Sequence, residues 1–159
     1  MSSHTQQWNE ARRAIDRLIG RFFAAVSFEP GQPPRYETLH ELFIDGGVLF
    51  NGAAPQAVAS SVAGFVETRR AAHEKSRGEI SHYRASALSE TTEIFGRVAH
   101  RSCLFLRAGT RQGQPFENRG AIFFQLVRLE GQWRISAAAW DDRQPGQPLS
   151  TQPEFDEFG

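Results

Sequence analysis

Near Gly78 the apolar residues stop recurring every three or four positions and begin to alternate, so the chain must be helical first and strand-rich afterwards. Before the switch, Trp8, Ala11, Ile15, Leu18, Ile19, Phe22, Phe23 and Val26 fall on one face of a predicted helix over 7–26. Ser3 or Thr5 suits its N-cap. The helix must stop at S-F-E-P-G-Q-P-P, where proline removes backbone donors and cannot continue helical geometry. Tyr36, Leu39, His40 and Phe43 predict a short second helix over 36–43. Ile44 to Gly52 reads as a turn and a short strand. Pro55 suits the first turn of a third helix over 55–74, with Val58, Val62, Phe65 and Val66 as its buried stripe.

After Gly78, alternation predicts strands near 79–91, 93–107, 117–130 and 132–142. The longest turn is expected at G-T-R-Q-G-Q-P, and a tight one at Glu130-Gly131. Helices segregated from an antiparallel meander define an α+β fold, a single domain over 1–143. The Pro/Gly-rich remainder, 144–159, reads as an extended arm.

Composition removes several function classes. Acidic and basic residues number 18 each, so no net field favours nucleic acid or an anionic membrane as partner. The N-terminus lacks a basic segment leading into an apolar run, and nowhere is there an apolar stretch of spanning length, so a cytoplasmic location is expected. Cys103 is the one cysteine, which excludes an intrachain disulfide. His73-Glu74 begins like a helical zinc motif, but Arg77 stands where the second histidine belongs. No cofactor or metal is expected.

The remaining polar residues each carry two readings. His100 suits a general base or a ligand contact, and equally an inter-strand hydrogen bond. Arg119 can grip a carboxylate through two parallel bonds or pair with Glu117 two positions away. Asp142 and its neighbour Asp141 fall at a strand end, where turns favour aspartate. Asn51 stands at a turn with Gly52. Trp140 is core or pocket wall.

The stretches L-H-E-L-F-I-D-G-G-V-L-F-N-G, F-G-R-V-A-H-R-S-C and R-G-A-I-F-F-Q-L-V-R-L-E-G-Q-W-R-I resemble the nuclear transport factor 2-like superfamily, which includes ketosteroid isomerase and SnoaL-like polyketide cyclases. The resemblance spans about 8–143 and implies a cystatin-like cone, in which a strongly curved sheet wraps the helices around one deep pocket. Matched to ketosteroid isomerase, Gln125 takes the place of an oxyanion-stabilising acid, and Ser136, Ala138 and Trp140 turn inward. Alternation then carries Glu117, Arg119, Ala121, Phe123 and Gln125 to the pocket. Asn51 takes the place of the carboxylate base, so isomerase chemistry is not expected.

Three functions follow from that resemblance. The first is a small-molecule binder, its apolar pocket oriented by Asn51, Arg119, Phe123, Gln125 and Trp140. The second is an acid–base enzyme, a dehydratase, cyclase or isomerase, using His100 with Asp142 or Glu117. The third is a dimeric interaction module. A homodimer is expected through an outer sheet face carrying Trp133, Ile135, Ala137 and Ala139.

Overall fold

The computed structural model describes residues 3–76 and 78–153. Helix α1 (His4–Val26) starts at Ser3, whose Oγ accepts the Gln6 N–H at 3.0 Å; Thr5 lies inside the helix. Its predicted stripe holds, with Ile15, Leu18, Ile19 and Phe22 buried against the sheet. A 3-10 turn (Tyr36–Thr38) leads into the single-turn helix α2 (Leu39–Leu42) and strand β1 (Phe43–Asn51). Strand β2 (Val58–Ser61) precedes helix α3 (Val62–Ser76).

This departs from the expected third helix over 55–74. Residues 58–61 pair antiparallel with β1 instead, and the helix begins only at Val62. β-branched Val58 and the backbone pairing it gains on the edge of a sheet outweigh the helical start suggested by Pro55.

Four long strands complete the chain: β3 (Ile80–Phe95), β4 (Val98–Arg111), β5 (Gln114–Leu129) and β6 (Gln132–Asp142). They run in sheet order β2-β1-β6-β5-β4-β3, all antiparallel except β1 beside β6. The turn expected to be longest is tight. Gln112 and Gly113 both take positive φ, which matches the twist of a two-residue hairpin and lengthens both strands. Glu130 and Gly131 do the same, as expected there.

Register shifts after Ala87 on β3 and at Ser136 on β6 bend the sheet. The helices cover one face of it. Leu39, Leu42, Phe65 and Val66 meet Phe105, Ile122, Phe124, Leu126 and Ile135 there. Phe28, just beyond α1, exchanges two backbone hydrogen bonds with Tyr83 and ties the chain back to β3. After β6, residues 143–153 form no helix or strand, and Pro148 and Leu149 pass over the outer sheet face beside Phe50, Leu104 and Phe123. Residues 154–159 of the expected arm lie outside the described residues. No helix among the described residues is long and apolar enough to cross a membrane.

Candidate functional site

Face assignment decides what can form a site. In an antiparallel pair, residues directly opposite one another share a face. Ile122 lies opposite Trp140 and Phe124 opposite Ala138, and all four turn toward the helices. Phe123 and Gln125, opposite Ala139 and Ala137, therefore turn away from them. The expectation that Glu117, Arg119, Ala121, Phe123 and Gln125 face the pocket is corrected by one position. The Ser136 bulge adds a second correction. It turns Trp133 and Ile135 inward along with Ala138, so neither belongs to the outer face.

Between α1, α3 and the sheet lies a cavity of about 160 Å³. Phe22, Phe23, Phe28, Phe65, Phe105 and Trp140 give it aromatic walls. Trp140 meets Phe65 edge to face, with centroids 5.7 Å apart. One stripe of α3, spaced Arg69, Ala72, His73 and Ser76, supplies its polar lining from the helical side. Tyr36, Tyr83 and Arg107 complete the polar set.

Arg107 is ion-paired with Asp142, and Asn118 Nδ2 donates to the same carboxylate oxygen at 2.9 Å. The other carboxylate oxygen, Asp142 Oδ1, and the Arg107 Nε–H are shielded from water and have no partner among the described residues. A buried donor and a buried acceptor left unmade are costly, and they mark where a further polar group fits. Burial pushes the Asp142 carboxyl up from its ordinary range; Arg107 opposes this and Asp141 adds to it.

Burial also raises the Tyr36 phenol, with Arg69 pulling it down and Tyr83 pushing it up. Cys103 is a different matter. Burial raises its thiol to about 12, Glu90 adds to the rise, and the group is an inert packed side chain.

Of the residues singled out from sequence, Trp140 lines the cavity, and Asp142 stands behind the lining, ion-paired with Arg107. His100, Phe123 and Gln125 do come together, but on the outer face: Gln125 Nε2 donates to His100 Nδ1 at 2.7 Å, and the His100 ring stacks on Phe123. His100 and Asp142 therefore cannot act as a pair, because the sheet separates them. Arg119 pairs with Glu117 at 2.7 Å, the plainer of its two readings. Asn51 accepts the Ala53 N–H at 2.9 Å through Oδ1, which fixes the turn. Among the described residues no cluster of three metal-ligating side chains forms.

Sequence reasoning missed Arg69, Arg107 and Asn118. Arg107 carried a signal, since it continues the alternation Ala99, Arg101, Cys103, Phe105 on β4 and had to share their face.

The SnoaL-like domain family model matches residues 9–139. No curated protein matches the chain. A protein of unknown function from Mycobacterium tuberculosis superposes with a TM-score of 0.72 at 16% identity, covering 92% of this chain and 79% of that one. A nuclear transport factor 2-like superfamily protein from Salmonella enterica gives 0.69 at 11%, with 87% and 94% covered. A provisionally named scytalone dehydratase from Novosphingobium aromaticivorans gives 0.68 at 14%, with 88% and 89% covered. At such identities the likeness is one of fold. The family match over most of the chain is decisive, and the sheet and helices are arranged as in these structures: this chain belongs to the SnoaL-like domain family.

Proposed function

We propose that the protein binds a small molecule with a flat aromatic body inside the cone. The observation that carries this is an aromatic-walled cavity whose lining includes Arg107, with its Nε–H unpartnered among the described residues. Apolar walls supply affinity through buried area, and few polar groups fix orientation. A neutral two-ring amide, 2-naphthamide, tests it by calorimetry. Binding to wild type and its loss in Ala72→Trp, which blocks the cavity's open side, is the expected result. Equal binding to both would place the molecule elsewhere on the protein.

Acid–base catalysis at the Arg107 side of the cavity is the second reading, favoured by the raised proton affinity of Asp142, the ion-pair partner of that lining residue. Asp142 would then be the proton carrier by itself, since His100 is bonded to Gln125 on the other face.

A homodimer through the outer sheet face remains part of the proposal, with altered membership. Val48 and Phe50 on β1 and Phe123 on β5 are each about two-fifths exposed, at 43%, 41% and 40%. Ala137 and Ala139 lie opposite Gln125 and Phe123 on the same face. An exposed apolar strip of this kind suits a second copy of the chain.

A further inference from the structure

Arg69 is a cation facing the cavity without a counter-charge among the described residues. The other two inward arginines have theirs: Arg101 is held by Asp16 and Glu90, and Arg107 by Asp142. Arg70, beside it in sequence, pairs with Glu37 at the surface. For Arg69 no carboxylate lies within ion-pair distance among the described residues, and its guanidinium carbon sits 5.2 Å from the centre of the Phe65 ring. Its place over that ring holds the guanidinium at the cavity wall and leaves its fork of N–H donors to be satisfied. Tyr36, close enough for Arg69 to lower the proton affinity of its phenol, lines the same cavity.

The charge balance then favours one kind of ligand. The Arg107–Asp142 pair is neutral overall, so Arg69 leaves the cavity with one uncompensated positive charge. A cation partly withdrawn from water is stabilised by an opposite charge brought to it. A carboxylate matches the guanidinium fork with two parallel hydrogen bonds, and the Tyr36 hydroxyl is a further donor on the same lining.

We propose that the ligand of this cavity is an aromatic carboxylate and that Arg69, assisted by Tyr36, holds its charged end. This rests on the small-molecule reading given above. It goes further by naming the ligand's charge and the residue that selects it, a residue on α3 and not on the sheet.

The experiment uses 2-naphthoate and the neutral amide of the same shape, 2-naphthamide, measured by calorimetry on wild type, Arg69→Met and Arg69→Lys. Wild type is expected to prefer the carboxylate by about tenfold or more, the range of charge-assisted hydrogen bonds. Arg69→Met keeps an apolar stem over Phe65. It should abolish the preference while leaving the affinity for the amide within about twofold. Arg69→Lys keeps the charge without the fork and should fall between the two. Equal affinity of wild type for both probes would overturn the carboxylate assignment, as would a preference that survives in Arg69→Met. Either result would leave the cavity reading intact. Failure of both probes to bind wild type would overturn the cavity reading and this assignment with it.

Discussion

Arg101 on β4, only 1% exposed, donates to the carboxylate of Asp16 on α1. Its remaining bonds go to Glu90 Oε2 at 3.2 Å and Thr92 Oγ1 at 2.9 Å on β3. One guanidinium thus joins the first helix to two long strands. The asymmetry between its partners makes a prediction. The two acids are partly exposed and can be hydrated if left alone, whereas the guanidinium cannot. Asp16→Ala should therefore cost about 3 kcal/mol, by leaving a buried cation short of charge, and Arg101→Met less than about 1 kcal/mol. Urea unfolding of both variants decides it. An Arg101→Met penalty equal to or above that of Asp16→Ala would show that the ion cluster itself stabilises the fold.

Asp142 makes stability depend on pH. Its carboxyl is raised by burial, so the folded chain binds that proton more tightly than the unfolded chain does. Between the ordinary aspartate range and the raised value, folding takes up a proton, and stability falls as pH rises across that window. Asp142→Asn removes the titrating group while its carbonyl can still accept from Arg107. Unfolding midpoints measured from acid pH to neutrality should show wild type losing stability relative to Asp142→Asn as the pH rises. A difference that stays flat, or that moves in wild type's favour, would contradict the raised carboxyl.

Much of this architecture was written in the chain's periodicity, and the reasons for the failures are specific. α3 ends at Ser76 and β3 begins at Ile80, on either side of the period change near Gly78. Edge strand β2 was hidden because its evidence lies in a partner, β1, and not in its own four residues. The face of β5 was misread at Phe123-Phe124, where two adjacent aromatics leave alternation ambiguous. The uninterrupted apolar set Ile122, Phe124, Leu126 was the better core than Ala121, Phe123, Gln125, and burial follows it. The bulge at Ser136 has no signature in S-A-A-A, yet it reverses the face of everything before it on β6. Site residues on α3 escaped notice because Thr68-Arg69-Arg70 reads as ordinary solvated surface until a neighbour packs against it.

Glu130 occupies the left-handed region at φ +51, where a side chain is strained and asparagine is better tolerated. Glu130→Asn should stabilise the β5–β6 hairpin by about 0.5 kcal/mol. Thermal unfolding is a sufficient check, because the site is exposed and far from the cavity. A lower melting temperature would mean that Glu130 makes a contribution the backbone geometry does not reveal.

The outer sheet face yields the last prediction. Val48 and Phe50 on β1 and Phe123 on β5 leave apolar side chains in water on either side of β6, whose Ala137 and Ala139 lie between them. His100 and Gln125, bonded to each other, place a linked polar pair beside Phe123. That bond satisfies one donor and one acceptor within the face, and a partner must meet the remaining polar atoms of the pair to bury them cheaply. The passage of Pro148 and Leu149 over Phe123 covers one end of this face, so a second copy must either share it with the arm or displace the arm. Light scattering coupled to size exclusion should therefore report a dimer of the 17.8 kDa chain. Phe123→Lys should give a monomer, because a charge at the centre of an apolar contact is desolvated without a partner. The cavity lies on the opposite side of the sheet, so the affinity of Phe123→Lys for 2-naphthoate should match that of wild type. A wild-type monomer at micromolar concentration, or a Phe123→Lys dimer as tight as wild type, would remove the outer face as the interface.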